Sequence, residues 1–315
     1  MKKKITKYFL SFLGAISAAL AGLTLYQQIV LKIARKKADD THFMETWETE
    51  EGLIHYRSIG KGKPILLIHS IMLGASCREW DAVAESLAEN YHVYAIDLPG
   101  FGKSFYPEKP WTAYQYTQLL HKFIEAVIKR PVCVCGANGG ADFALLLSML
   151  HPAQARRLVL ISPEGIGKSF ATNADTKQLP LLLSPVAGTQ KFLLGTSKAA
   201  IRRELETHFY GKENISASLL QQYFNAARCG EHAQATFAGI STRFYAADTK
   251  AAFAKLSIPF LMIWGEENKI SSSAHFTAAE KMKDFGSFAL FEKTASLPHI
   301  ENSRAFLEHI TEFLK

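Results

Sequence analysis

The sequence predicts an α/β chain with a mostly parallel central sheet, helices on both faces, a helical cap insert and an N-terminal transmembrane helix. Three observations lead there. Short apolar runs rich in β-branched residues alternate with helix-length amphipathic segments, which implies a parallel sheet covered on both faces. That alternation breaks between Pro163 and about Ala247, a stretch too long for one crossover. Ahead of both lies an uncharged run of 24 residues, Tyr8 to Leu31.

The N-terminal run comes first along the chain. As a helix it would be roughly 36 Å long, enough to cross a hydrocarbon core of about 30 Å with tilt. Lysines bracket both ends, so the reading is a single-pass anchor over residues 1–37, in contact with the lipid bilayer through residues 8–31. A cleaved signal peptide is the main rival, because Ala19-Leu20-Ala21 has the small-x-small form of a cleavage site. Against it, the apolar run continues past that point. A helix lying on the surface is the third reading, weakened by the lack of a strongly charged face. Basic residues flank both ends in equal number, so the side of the membrane is open. Gly14, Ala18 and Gly22 recur every four residues, a spacing that would let two anchors approach as a homodimer. Chance in a Gly- and Ala-rich run explains the same spacing.

The charge follows the same division. Residues 1–40 hold eight basic residues against Asp39 and Asp40, a net of +6 of the chain's +7. The remaining body is nearly neutral and offers no basic face for nucleic acid. With 48% hydrophobic and 21% charged residues it reads as globular. Cys77, Cys133, Cys135 and Cys229 show no metal-ligand spacing, and the strand positions of Cys133 and Cys135 disfavour a disulfide between them. They read as small buried hydrophobes. No cofactor is implied.

The body then runs in order. Phe43–Thr49 and Leu53–Ile59 form a hairpin around Glu50-Glu51-Gly52. Strands follow at Pro64–His69, Val93–Leu98, Val132–Cys135, Leu158–Ile161 and Phe260–Trp264, with helices at Cys77–Leu87, Ala113–Ile128 and Asp142–Leu150 between them. Ser287–Glu292 is the last strand and Glu301–Leu314 the last helix. The core is thus residues 38–162 and 248–315, with a cap over 163–247 that includes helices at Ala199–Phe209 and Ala217–Ala227. A cap placed there covers the carboxyl edge of the sheet, where open α/β sheets hold their ligands.

Several motifs stand at the strand ends: Pro64-Ile65-Leu66-Leu67-Ile68-His69, Glu79-Trp80, and Ala95-Ile96-Asp97-Leu98-Pro99-Gly100-Phe101-Gly102-Lys103-Ser104. To these add the glycine turn Gly136-Ala137-Asn138-Gly139-Gly140, Ile263-Trp264-Gly265, and Leu297-Pro298-His299-Ile300-Glu301. In this order and spacing the chain resembles the α/β-hydrolase fold superfamily over about residues 43–315, in particular its membrane-anchored, single-span branch with a helical cap. The resemblance implies a serine on a strained G-x-S-x-G turn, a histidine to take its proton, an acid to orient the histidine, and two backbone N–H groups as oxyanion donors.

Matched residue by residue, the three side chains that carry the chemistry differ. Asn138 stands at the nucleophile, Asn268 at the acid after the Trp-Gly pair, and Ser296 at the histidine. The oxyanion loop, His-Gly in the family, is His69-Ser70 here, and the resemblance assigns Ile71 and Gly139 N–H as its donors beside Ser70. An amide is not an activatable nucleophile and does not relay a proton as imidazole does. Glu164, Glu266 or Glu267 could act as a substitute acid. His299, three residues from the expected histidine, is a substitute base on one reading and a packing or hydrogen-bonding residue on the other. A relocated thiol at Cys133 or Cys135 is disfavoured by burial. Asn138-Gly139 is also a deamidation-prone pair; conversion to Asp would give a carboxylate nucleophile such as dehalogenase-like relatives use, without the histidine that releases the ester.

The expectation is a membrane-anchored protein of this fold that has lost hydrolysis and binds a small apolar, acyl- or ester-like ligand or a partner. The alternative is an active, serine-independent hydrolase or lyase on the same fold. A structural membrane protein with a filled pocket is the third reading. An open cavity above Asn138 favours binding or catalysis, and a filled one favours a scaffold.

Overall fold

A computed structural model describes residues 44–167 and 176–315, together with Gly22, Leu25, Tyr26, Ile29 and Lys32, which are helical. The expected anchor and its Gly14/Ala18/Gly22 face lie outside the described residues except at those five positions. Among the described residues no helix is long and apolar enough to cross a membrane.

Eight strands form one sheet: β1 (Met44–Glu48), β2 (Leu53–Ile59), β3 (Lys63–Ile68), β4 (Tyr91–Ile96), β5 (Val132–Ala137), β6 (Ala155–Ile161), β7 (Phe260–Gly265) and β8 (Ser287–Phe291). Their order across the sheet is β1-β2-β4-β3-β5-β6-β7-β8. The hairpin β1–β2 and the β2–β4 pair are antiparallel, and every other pair is parallel. The mostly parallel sheet inferred from unbroken apolar runs is therefore what the chain builds. The strand β3 shows why such runs do not alternate in polarity. Leu66 and Ile68 enter one core cluster while Ile65 and Leu67 enter the other, and all four are fully buried.

Helices cover both faces. On one side lie α1 (Asp81–Ala88) and the carboxyl-terminal helix; on the other lie α2 (Ala113–Phe123) and α3 (Gly139–Leu150). The helix α2 begins with a capping box, in which Thr112 and Gln115 each satisfy the other's backbone N–H. Cys133 and Cys135 share one face of β5, and all four cysteines are free and buried.

Between β6 and β7 the chain forms α4 (Leu179–Leu183), α5 (Ala187–Gly195), α6 (Lys198–His208), α7 (Ala217–Ala226) and α8 (Ala233–Ser241), then α9 (Lys250–Lys255). Helix α10 (Ser273–Glu280) joins β7 to β8. The last helix differs from the sequence expectation. It divides into α11 (Pro298–Glu301) and α12 (Ser303–Leu314), because Asn302 leaves the helical region at φ −135°, ψ 56°. Its side chain then accepts from Ala305 N and caps α12.

Candidate functional site

The turn from β5 into α3 holds Asn138 at φ 49°, ψ −120°, a region costly for any side chain. Backbone bonds keep it there. Asn138 N donates to Ile161 O at 2.8 Å, and Asn138 O accepts from Ala141 N at 2.9 Å. The glycines on either side permit so sharp a turn. A Cβ on Gly136 would strike the Gly140 backbone, and one on Gly140 would strike His69 O.

The Asn138 side chain is 1% exposed, and neither its Oδ1 nor its Nδ2 has a hydrogen-bond partner. No imidazole or carboxylate reaches it. The space beside it is occupied by carbon. A Cβ on Gly139 would lie 2.8 Å from Ile71 Cγ1 and 3.0 Å from a Tyr245 ring carbon. The gap bounded by Gly139, Glu164, Arg243 and Tyr245 admits no water. A second gap, bounded by Ile71, Trp111 and Tyr245, measures about 10 Å³. A cavity of about 300 Å³ lies elsewhere, between Cys77, Asp97 and Lys103 of the core and Asn225 of α7.

The residues matched to an acid and a base are engaged locally. Asn268 Oδ1 accepts from Ile270 N (2.8 Å) and Ser271 N (3.0 Å), bracing its own turn. Ser296 Oγ lies 2.7 Å from His208 Nδ1, an imidazole brought in from the end of α6, and Ser296 N donates to His208 O. Beside this contact, Glu301 accepts from Tyr210 N and from Ala295 N, each at 2.7 Å, clasping the cap to the core.

The other candidates are placed as follows. Glu267 accepts from Lys293 N and Thr294 N at 3.0 and 2.9 Å, so it braces the loop after β8, and Glu266 is exposed. Glu164 pairs with Arg243 at 2.8 Å and accepts from Tyr245 Oη at 3.3 Å. His299 is wholly buried, its ring stacked on Trp80 with centroids 4.3 Å apart and its Nε2 3.1 Å from Glu79 Oε1. Its Nε2 is held by Glu79, and no hydrogen bond joins the ring to Asn138. Ser70 turns to the same carboxylate. Its N–H donates to Oε1 at 3.0 Å and its hydroxyl to Oε2 at 2.5 Å. Both polar groups of Ser70 are thus spent on Glu79.

Sequence reasoning gave no role to four residues that build this region. Glu79 receives His299, Ser70 and, at 3.5 Å, Tyr223 Oη. Burial alone would push its carboxyl up, but the bonds and charges of His299, His69 and Ser70 outweigh that and hold it below its ordinary value. Asp142, on the first turn of α3, accepts from Glu164 N, Gly165 N and Thr249 Oγ1. Burial raises its carboxyl to about 7, with the Glu164 charge adding to the rise and the Thr249 and backbone donors opposing it. His208 and Tyr245 come from the cap region. The Glu79-Trp80 motif marked Glu79 but not its partners, and the other three carry no local signal, since their partners are distant in sequence. Among the described residues no cluster of His, Cys, Asp and Glu is arranged to hold a metal.

Comparisons with known proteins follow the same lines. The sequence pattern of the Alpha/beta hydrolase family matches residues 65–309. A pimeloyl-[acyl-carrier protein] methyl ester esterase of Aeromonas hydrophila is 24% identical over 256 residues, covering 81% of this chain and 96% of the esterase. A 2-hydroxy-6-oxo-6-(2'-aminophenyl)hexa-2,4-dienoic acid hydrolase of Metapseudomonas resinovorans is 35% identical over 113 residues, 35% of this chain and 39% of that enzyme. Among solved structures, a membrane phospholipase A described as a bacterial virulence factor superposes with a TM-score of 0.70 at 22% identity, over 100% of this chain and 98% of that one. A meta-cleavage product hydrolase, CumD, gives 0.72 at 18% identity over 86% of this chain and 98% of its own. With the eight-stranded sheet, the glycine turn and the family pattern in agreement, the chain belongs to the alpha/beta hydrolase family.

Proposed function

We propose that this protein is a non-hydrolytic member of its family. The observation that carries the reading is the Asn138 amide, which stands at the strained turn without an imidazole or carboxylate in contact. Acyl transfer at this turn needs a nucleophile that gives up a proton and a base that takes it. An amide does neither. The neighbouring positions support the same reading, since Asn268 braces its own turn and Ser296 is held by His208. What remains is a neutral donor, Asn138 Nδ2, next to Gly139 N–H at the start of α3. That pair suits an acyl carbonyl or a carboxylate that is bound and not cleaved. The filled space beside Gly139 by itself favours the structural reading, so entry of such a ligand requires Ile71 and Tyr245, which cover Gly139, to move.

An anchor over residues 8–31 completes the proposal. It rests on the uncharged run between lysines and on the likeness to a membrane phospholipase A along the whole chain. A second reading, an active hydrolase or lyase independent of serine, is favoured by the relatives, which are named as esterases and hydrolases.

The test treats the purified full-length chain with a fluorophosphonate probe and with activated esters of several chain lengths. No labelling and no turnover above background are expected, together with retention of a fatty acid or its ester in calorimetry. Turnover abolished by Asn138→Ala establishes the second reading instead.

A further inference from the structure

We infer that the Asn138–Gly139 peptide is a self-modifying site, at which the Gly139 nitrogen closes on Asn138 Cγ and expels the side-chain nitrogen. Geometry carries this furthest. At an L-residue, Cβ stands a third of a turn from the backbone nitrogen about the Cα–C bond. The observed ψ of −120° therefore places the Gly139 nitrogen on the same side as Asn138 Cβ, nearly eclipsed with it. A flat five-membered imide requires that arrangement. Helical or extended backbone, with ψ near −42° or +135°, holds the nitrogen well away from it. The turn that would aim a nucleophile in other family members thus aims this asparagine at its own backbone.

Three further observations point the same way. Neither Oδ1 nor Nδ2 of the amide is hydrogen-bonded, so nothing polar restrains it from turning inward. The attacking nitrogen belongs to glycine, which brings no side chain to hinder approach, and the chain has no other Asn-Gly pair. Gly139 N–H also opens α3, where no preceding helical turn takes it up. The positive end of the helix dipole eases loss of its proton.

The step balances without a redox partner. The Gly139 N–Cγ bond forms and the Cγ–Nδ2 bond breaks. The proton leaving Gly139 goes to the departing nitrogen, so one ammonia is lost. Water then adds across either imide C–N bond, giving aspartate or isoaspartate at position 138. Because Asn138 is 1% exposed and the gap beside Gly139 admits no water, ring opening is slow and the imide accumulates.

The experiment incubates freshly purified full-length protein at mildly alkaline pH, folded and in urea, and follows intact mass and peptide maps. The folded chain is expected to lose one ammonia at Asn138, or to carry the hydrolysed products there, at least as fast as the unfolded chain. Asn138→Gln, whose longer side chain would form a six-membered ring, should remain unconverted. An intact Asn138 in the folded protein overturns the inference whatever the unfolded chain does, as does a mass change mapping only to another asparagine. The mass readout is independent of ester hydrolysis; conversion removes the Nδ2 donor named above for ligand binding, so ligand retention is expected only of the unconverted chain.

Discussion

Two buried polar side chains near the carboxyl edge of the sheet behave in opposite ways. Glu79 is saturated: Ser70 donates twice, His299 once, and Tyr223 lies within reach. Asn138 is orphaned, with neither amide atom bonded. Both are less than 4% exposed. Burial removes water from each, but only at Glu79 does protein replace it. A saturated buried charge is what a chain needs to stay folded around it. An unsatisfied buried amide, held at a costly φ, does nothing for stability and so marks the place where the fold is kept for something else.

The comparison breaks first at Glu79. Glu79→Ala leaves His299 buried and Ser70 without an acceptor, so a loss of about 3–5 kcal/mol is expected in urea unfolding. A loss below about 1 kcal/mol would mean the cluster is not structural. The same carboxyl, held below its ordinary value, contributes stability at neutral pH that disappears as the pH falls through its folded value.

Asp142 sharpens the contrast through pH. Its folded carboxyl titrates near 7 against an ordinary 3.8. The folded state therefore binds its proton more tightly than the unfolded chain, and its contribution falls as pH rises through that window. At about 1.4 kcal/mol per unit, the decline is bounded at roughly 4 kcal/mol. Thermal melts at pH 5 and pH 8 check it, and Asp142→Asn should flatten the difference. An unchanged difference in that variant would assign the slope to other groups.

Smaller effects are expected at the other two sites. Ser296→Ala removes the hydrogen bond to His208 and should destabilise by about 1 kcal/mol. A change within error would show that the other ties between cap and core, Glu301–Tyr210 and Tyr223–Glu79 among them, suffice without it. Asn138→Ala removes an orphaned amide, a gain, but places Ala at φ 49°, a loss. The two offset, and the net change should stay within about 1 kcal/mol. A large destabilisation there would reveal a partner for the amide and undo the contrast with Glu79.

Much of the frame was legible in advance because it is written locally. The apolar runs of β3 through β7, the glycines around Asn138 and the late strand ending at Gly265 each carry their signal within a few residues. The break in rhythm after Pro163 likewise announced the helices that follow. The contacts that fill the site were not legible. The His299–Glu79 pair spans 220 residues and Ser296–His208 spans 88. No period or motif records such separations. The division of the last helix at Asn302 depends on a capping geometry that the pattern of Glu301–Leu314 does not distinguish from a helix interior. Nor did the sequence show that Ile71 and Tyr245 close over Gly139, since both read simply as apolar residues near a turn.

The bond between Ser296 and His208 also couples any change made at the two positions. The space that a histidine at 296 needs for its ring is held by another ring, from the cap, 2.7 Å from the serine oxygen. Replacing Ser296 by histidine first forces two imidazoles together. Removing His208 first surrenders a tie between cap and core and supplies no base. Either first step is unfavourable alone, and the strain is relieved only when both are complete. The clasp is therefore a source of epistasis: a change at either residue has an effect that depends on which side chain stands at the other.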